Sequence, residues 1–293
     1  MKRALLVSGV LAVALSGCGI TPLPGVVAVK ASPASPGPSA AAFVPVYETP
    51  ENKDLTAAEK LLRDNRLVQR WAEAANQGFV PPRNVSVTAR QCDEINAFYN
   101  SEDPSITMCY EMVDYLRKLF ATPEKGAPRP DVKEVDESAL GAMSGIYFHE
   151  LGHALIDLYD LPATGREEDA VDQLSALVLI TTAEKQKDYS QIISTIETWG
   201  RISQEEAKLP LDQRDFADDH SLSRQRYYNM MCYLYGSNHN AFLPLVSEGE
   251  LPVARAARCE EEYAKMSRAW TRLLEPHLRT DLPSPSPGTA RPS

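Results

Sequence analysis

Residues 138–158 read SALGAMSGIYFHELGHALIDL. Apolar side chains recur in this segment at intervals of three and four residues, the spacing that places them on one face of an α-helix. They are Leu140, Met143, Tyr147, Leu151, Ala154 and Leu158. The pattern predicts a long helix whose apolar face packs into the core of the domain.

Two histidines and a glutamate lie off this apolar face. His149 and His153 are four residues apart, so they project from one side of the helix about one turn from each other. Two imidazoles placed in this way can bind the same Zn²⁺ at about 2.1 Å. Glu150 can then reach a water activated by the metal without ligating the metal, and can act as a general base. The motif therefore predicts a zinc-dependent hydrolase with Glu150 as a catalytic residue.

A catalytic zinc needs a third protein ligand. The metzincin arrangement would require glycine at 156 and histidine at 159, where this chain has Ile156 and Tyr159. Asp157 follows His149 by two turns, about 12 Å along a helix axis, which is too far to complete a tetrahedron with both histidines. We interpret Asp157 as a carboxylate that is solvated or supports a ligand, and expect the third ligand to come from the next helix.

The next helix begins with adjacent acids at positions 167–169. Thr164 and Glu167 have the spacing of a capping box, which would give Glu167 a structural role. Glu168 and Asp172 share another face, and their Glu-x-x-x-Asp spacing resembles the gluzincin pattern, in which the glutamate binds zinc and the aspartate orients a ligating histidine. The resemblance implies Glu168 as the third ligand and Asp172 as its support, and leaves Glu167 and Asp169 as alternatives for the ligand.

Hydrolysis also needs a hydrogen-bond donor for the oxyanion that forms when water attacks a carbonyl. His220 follows Asp218, and an acidic neighbour favours the charged, donating form of an imidazole. We take His220 as a catalytic candidate, with a surface histidine in an acidic turn as the alternative. Tyr228 is a further possible donor. Arg226 is expected to pair with an acid near the metal rather than to act on the substrate.

Several segments of the chain resemble a bacterial family whose members are assigned as zinc metallopeptidases of unknown substrate. They include Val80-Pro81-Pro82, Asn96-Ala97-Phe98-Tyr99, Cys109-Tyr110-Glu111, the zinc motif, Gly165-Arg166-Glu167-Glu168-Asp169 and Gln225-Arg226-Tyr227-Tyr228-Asn229. The zinc motif of the family is intact here. The resemblance implies metal-dependent hydrolysis, a bound Zn²⁺ and a zincin-like fold, and it says less about the substrate.

The domain is expected to be α+β, with a small antiparallel sheet followed by a mainly helical part. Residues 55–75 have a helical rhythm of apolar residues, and residues 85–90 alternate as in a strand. Segments 95–99 and 106–110 flank a turn and predict a hairpin. This hairpin is the candidate for an edge strand that holds a substrate backbone by strand addition.

The cysteines predict disulfides. Apart from Cys18 the chain has four, an even number in a chain with an export signal, and four cysteines allow three connectivities. Cys92 and Cys109 flank the hairpin and are expected to face each other across adjacent strands. This pairing leaves Cys232 to bond with Cys259.

The two ends of the chain differ in composition from the middle. Residues 1–17 combine a basic start with an apolar run, as a secretion signal does, and Leu15-Ser16-Gly17-Cys18 resembles the lipobox of bacterial lipoproteins. We therefore expect lipidation of Cys18, a Pro/Ala/Ser-rich linker over 18–50, a metallopeptidase-like domain over 51–279 and a disordered tail over 280–293. Gly19, in place of the aspartate that often marks inner-membrane lipoproteins, favours the outer membrane, facing the periplasm or the cell surface.

Together these features predict a zinc metalloendopeptidase of the cell envelope that acts on peptide or protein substrates. The formal charge of −10 argues against nucleic acid as a partner. The alternative is a non-catalytic zinc-binding envelope lipoprotein, which serves as a scaffold or metal store. Glu150 favours the enzyme, because a metal store needs no general base beside its ion. The sequence leaves the oligomeric state open.

Changing Cys18→Ser should move the protein from the membrane fraction to the soluble fraction, because acyl chains on that cysteine are the expected anchor. Immunoblotting of both fractions after a high-salt wash measures the shift. A serine variant that still sediments with membranes contradicts the lipid-anchor prediction.

Overall fold

A computed structural model of the chain describes residues 41–123, 126–208 and 210–279. Cys18, the expected signal peptide, most of the expected linker and the expected tail lie outside these residues. Within them, the strands β1 (Phe43–Tyr47), β2 (Val85–Arg90), β3 (Ala97–Asn100) and β4 (Ser105–Cys109) form one sheet in the order β1-β2-β4-β3. β2 runs parallel to both β1 and β4, and β3 pairs antiparallel with β4.

The predicted α+β class and the β3–β4 hairpin are confirmed, but the sheet is mixed rather than antiparallel. The chain between β1 and β2 is helical, and a helical crossover returns the chain so that the second strand runs in the same direction as the first. β4 forms a second parallel pair with β2, because β3 lies at the edge of the sheet and leaves the other side of β4 free to pair with β2. The antiparallel expectation was drawn from the hairpin and from the alternation over residues 85–90, which does not reveal the direction of a neighbouring strand.

The folded part begins before the expected boundary at residue 50. Phe43 in β1 is 1% exposed, and its backbone N–H donates to Asn76 Oδ1 at 2.9 Å while its carbonyl accepts from Asn76 Nδ2 at 2.8 Å. Residues 43–47 were expected to belong to the linker, because a strand of five residues is too short to show a repeating pattern of apolar side chains. The strand is instead fixed by its partner β2, which is distant in sequence.

Two α-helices of the described chain precede the hairpin, and the others follow it. They are α1 (Thr56–Asp64), α2 (Leu67–Gly78), α3 (Tyr110–Ala121), α4 (Val132–Tyr159), α5 (Glu167–Gln186), α6 (Ser190–Glu206), α7 (Gln213–Ala217), α8 (Ser223–Ser237), α9 (Pro244–Ser247), α10 (Val253–Ala256) and α11 (Cys259–Leu274). Short 3₁₀ turns cover Lys53–Leu55 and Glu275–His277. None of these helices is both long and apolar enough to cross a membrane.

The central element is α4, the helix predicted from residues 138–158. It starts at a capping box, in which the Asp131 side chain accepts from the Glu134 N–H and the Glu134 carboxylate accepts from the Asp131 N–H. The Tyr147 ring stacks on Trp71 with centroids 4.9 Å apart. α4 is buried on more than its apolar stripe, because α3, α5, α6 and β3 all pack around it.

Two glycines let neighbouring helices approach α4 closely. A Cβ at Gly145 would lie 2.3 Å from Thr195 Oγ1 in α6, and a Cβ at Gly152 would lie 2.7 Å from Val171 Cβ in α5. Real Cβ contacts are not this short, so both positions require glycine for the observed packing. The contact at Gly152 fixes how near α5 can come to the two histidines that flank it in sequence.

Both predicted disulfides are present, Cys92–Cys109 and Cys232–Cys259. The first differs from expectation in one detail, since Cys92 lies in the loop before β3 and not on a strand. The Glu111 carboxylate accepts from the backbone N–H groups of Cys92 and Asp93 in that loop. The disulfide and this carboxylate together fix the start of β3. The second disulfide ties α8 to α11.

Gly152→Ala should destabilise the fold by about 1–3 kcal/mol, because the added methyl overlaps Val171 and pushes α5 away from α4. Denaturant unfolding of the variant and the wild type measures the loss. Gly78→Ala is the matched control, since a Cβ there meets nothing within 4 Å; its stability should be unchanged or rise by about 0.4–1 kcal/mol. Equal stability of the two variants would contradict the close contact.

Candidate metal centre and active site

The first turn of α5 faces the two histidines of α4. His149 Nε2 lies 3.1 Å from Glu168 Oε2, and His153 Nε2 lies 3.4 Å from Glu168 Oε1. The histidines share one side of α4 because they are separated by one turn, and Glu168 reaches them because the Gly152 contact brings α5 close. The sequence-predicted ligands are thus brought together in one cluster.

His220 joins the same cluster from the loop before α8. Its Nε2 lies 3.0 Å from Glu168 Oε2, and its Nδ1 lies 3.2 Å from Asp218 Oδ1. The loop is held against α5 by the Ser221 hydroxyl, which donates to Asp169 Oδ1 at 2.6 Å. Ser221 therefore ties the loop to α5, and Asp169 has a role away from the cluster.

The donor set fits a divalent metal. Two ligands about 2.0–2.1 Å from a tetrahedral ion lie about 3.3 Å from each other, close to the separations observed around Glu168. Glu168 Oε2 is buried and accepts no hydrogen bond of good geometry within the described chain, although two imidazole nitrogens are near it. A buried carboxylate oxygen that points at no proton is suited to a cation. Candidate ligand atoms of His149, Glu168 and His220 all lie within 4.8 Å of one another.

The remaining nitrogen of His149 is held by a buried ion pair. His149 Nδ1 lies 2.8 Å from Asp172 Oδ1, and the Arg226 guanidinium donates to both oxygens of Asp172 at 2.6 and 2.7 Å. Burial alone would raise the pKa of Asp172, but the charge of Arg226 and the hydrogen bonds from His149 and Arg226 lower it to about 2. The guanidinium also lies 3.5 Å above the Trp199 ring. Asp172 and Arg226 thus occupy the supporting positions that the sequence suggested.

Neighbouring charged groups shift the pKa values of the residues in the cluster. Burial would lower the pKa of the His149 imidazole, but the adjacent carboxylates of Asp172 and Glu168 outweigh this effect and raise it to about 9. Burial acts to raise the pKa of Glu168, yet the surrounding imidazoles hold it well below its usual range. Imidazole nitrogens must lose their protons to ligate a metal, so metal binding here would release protons.

Glu150 is buried beside the two histidines, with 7% of its surface exposed. Burial raises the pKa of its carboxyl, and the neighbouring imidazoles of His149 and His153 oppose this increase. A carboxylate with a raised pKa is a better proton acceptor at neutral pH. Its position and its pKa both suit a general base.

A cleft of about 680 Å³ opens over the cluster. Its lining includes Glu150, His149, His153, Glu168 and His220, and also residues 96–99 at the start of the hairpin. Within the described sheet β3 pairs only with β4, so its second edge is available to an extended chain. The cleft therefore combines a candidate metal site with a strand edge.

A family comparison agrees with this geometry. The model of a family described as "Putative metallopeptidase" matches residues 47–274, a range that includes every residue of the cluster. The chain belongs to this family. The resemblance found in the sequence is thereby confirmed at the level of the family. Neither a curated protein nor a solved structure matches the chain.

Glu167 has a different role in this family member from the one expected. It was interpreted as the partner of Thr164 in a capping box, but α5 begins at Glu167 itself, with Arg166 as its N-cap. The Glu167 carboxylate lies 2.7 Å from His153 Nδ1 instead. Each histidine of the motif thus has its own carboxylate partner on α5. This arrangement could have been inferred from the need of a ligating imidazole for an acceptor at its second nitrogen.

Two further residues have contacts that the sequence did not indicate. Tyr228 does not line the cleft and packs edge-on against Tyr227, so its role as an oxyanion donor gains no support from the structure and stays a prediction. Arg226 points from α8 toward the cluster, and a side chain two positions later on an α-helix points to the opposite side. Asp157, which was left as solvated or supporting, accepts from the Tyr99 hydroxyl at 2.7 Å and so links β3 to α4.

Glu167→Ala should weaken metal affinity by ~10–100-fold, because His153 loses the acceptor that fixes its ring. Competition with a chromophoric zinc chelator measures the affinity. Glu184→Ala, at the far end of the same helix, is the control and should bind zinc as the wild type does. If Glu167→Ala retains full affinity and loses only about 1 kcal/mol of stability, the residue is a helix cap after all.

Proposed function

We propose that the protein is a zinc-dependent endopeptidase of the cell envelope. The observation that carries the proposal is the position of Glu150, a buried carboxylate beside two imidazoles at the base of a cleft that also has a free strand edge. Membership of the family supports a metal-dependent hydrolase. The choice of zinc rests on the mixed nitrogen and oxygen donors, which zinc accepts in catalytic sites.

His149, His153 and Glu168 would hold the metal in this proposal. When bound, zinc supplies a Lewis acid that lowers the pKa of water to about 7. Glu150 takes the proton from the attacking water and passes it to the leaving amine. His220 stands at the same cluster with Nε2 near Glu168 and donates to the carbonyl oxygen as negative charge develops on it.

The substrate backbone would lie along β3. An extended peptide can add to a free strand edge through main-chain hydrogen bonds, and this mode requires a fixed strand. The Cys92–Cys109 disulfide fixes the loop before β3, and the Tyr99–Asp157 hydrogen bond fixes the strand against α4. Both contacts restrain the strand that lines the cleft together with Glu150.

The proposed location rests on the sequence rather than on the fold. We propose that Cys18 is lipidated and holds the domain at the outer membrane, where peptides or proteins of the envelope are its substrates. The acidic charge of −10 is consistent with a partner other than nucleic acid.

One observation favours a second candidate, a non-catalytic zinc-binding lipoprotein. His220 Nε2 lies as close to Glu168 as the motif histidines do, and ligand atoms of His149, Glu168 and His220 lie within 4.8 Å of one another in a group that does not include His153. Ligation by His220 in addition to the three proposed ligands would give four. A zinc with four protein ligands has no open position and serves a structural or storage purpose. The role of His220 therefore separates the two candidates.

Glu150→Gln should retain zinc but lose ~10²–10⁴-fold in kcat/KM, because the amide cannot accept the proton from water. The full chain with zinc is assayed on unfolded casein, and zinc content is determined by elemental analysis. A Glu150→Gln protein with wild-type activity on casein contradicts the mechanism.

His220→Ala provides the matched comparison. For a peptidase the variant keeps its zinc and loses activity, since the histidine acts on the substrate. For a closed four-ligand site the variant loses zinc affinity, and the wild type does not cleave casein.

A further inference from the structure

A smaller cavity of about 190 Å³ lies beside the cleft. The two share lining residues, namely Asn96, Ala97, His149, Glu150 and His220. Because Glu150 and His149 border both spaces, a side chain that enters the smaller cavity belongs to a residue next to the reacting bond. The cavity extends from there between α3, α4, α6 and α8.

This cavity is lined mainly by apolar side chains, those of Ala97, Met112, Ile146, Trp199 and Met230. Thr195 also lines it, and its hydroxyl donates to the Gln191 carbonyl of its own helix. Besides Glu150, His149 and His220, which it shares with the cleft, the cavity is bordered by Asp172 and Arg226, and these two are paired with each other through two hydrogen bonds. A charged substrate side chain would lose its water here, and apart from the groups of the proposed catalytic site it would gain no partner, which is costly.

The size of the cavity sets an upper limit on its occupant. An apolar cavity of about 150 Å³ holds a benzene ring. A space of about 190 Å³ is therefore sufficient for a leucine, isoleucine, methionine or phenylalanine side chain. We infer that this cavity is the specificity pocket of the proposed peptidase, and that it selects substrates with one of these apolar side chains beside the bond that is cleaved. The inference rests on the proposed function for the cleavage and on the cavity alone for the selection.

Met112 is the residue best placed to test the selection. It extends from α3 into the smaller cavity, does not line the main cleft, and has no part in the metal cluster. Substitutions there change the volume of the pocket while the reacting groups stay in place. Leu119 lies on the same helix, is also half-buried, and borders neither cavity, so it is the matched control.

The experiment profiles cleavage of a random peptide library by the full chain loaded with zinc, with the products sequenced by mass spectrometry. Wild type should select leucine, isoleucine, methionine or phenylalanine at one position adjacent to the cleaved bond. Met112→Ala should shift the preference toward larger side chains, and Met112→Phe toward alanine and valine. A difference of one methylene in an apolar pocket changes kcat/KM by ~10–200-fold, so each shift should reach at least tenfold. Leu119→Ala should keep the wild-type profile.

A binding measurement keeps the pocket separable from catalysis. Zinc-loaded wild type is titrated by calorimetry with a leucine-containing dipeptide and with its aspartate counterpart. Selective binding of the leucine dipeptide that Met112→Phe weakens supports the pocket even if no peptide is cleaved, in which case the proposed function fails alone. Cleavage without an apolar preference, or a profile that the Met112 and Leu119 variants leave equally unchanged, overturns the pocket and leaves the peptidase standing. Equal binding of both dipeptides also overturns it.

Discussion

The arrangement of the site depends on the contacts that the buried carboxylate of Asp172 makes. It lies on α5, accepts from Arg226 on α8, and contacts His149 on α4, so it connects three helices at one point. A buried charge that lost its partner would cost about 3–5 kcal/mol, which leaves α8 little freedom to dock in another way. Glu168 lies one turn earlier on α5, and its distance from the histidines follows from the same contact.

Much of the site could be predicted because its key spacings are local. A separation of four residues on a helix places two side chains on one face whatever the rest of the fold does, and this rule brought His149 beside His153 and Glu168 beside Asp172. The roles of Glu167 and Tyr228 depended on where α5 begins and how α8 is rotated. These are set by tertiary packing, and a helix start inferred from a capping signal is uncertain by a few residues. The position of His220 near Glu168 required a loop contact that no local pattern encodes.

The fold, like the site, divides into features set by local sequence patterns and features set by tertiary contacts. The hairpin, the long helix and the α+β class follow from short-range patterns, whereas β1 and the parallel pairing depend on contacts between residues far apart in sequence. α4 illustrates why one apolar stripe underestimates burial. Its small residues, Gly141, Gly145 and Gly152, admit other helices on faces that a hydrophobic pattern leaves open, and small residues carry no apolar signal of their own.

The two disulfides bear on whether the protein folds before it binds a metal. Cys92–Cys109 fixes the strand side of the cleft, Cys232–Cys259 fixes the helix that bears Arg226, and a continuous apolar core joins them. Zinc fingers, in contrast, are unfolded until the ion binds, so for them folding and metal loading are one step. In this protein two disulfides and a continuous core already connect the parts of the cleft, so we expect folding and metal loading to be separate steps. Under the proposed function, the protein would reach the envelope already folded and would become active only when metal is supplied there.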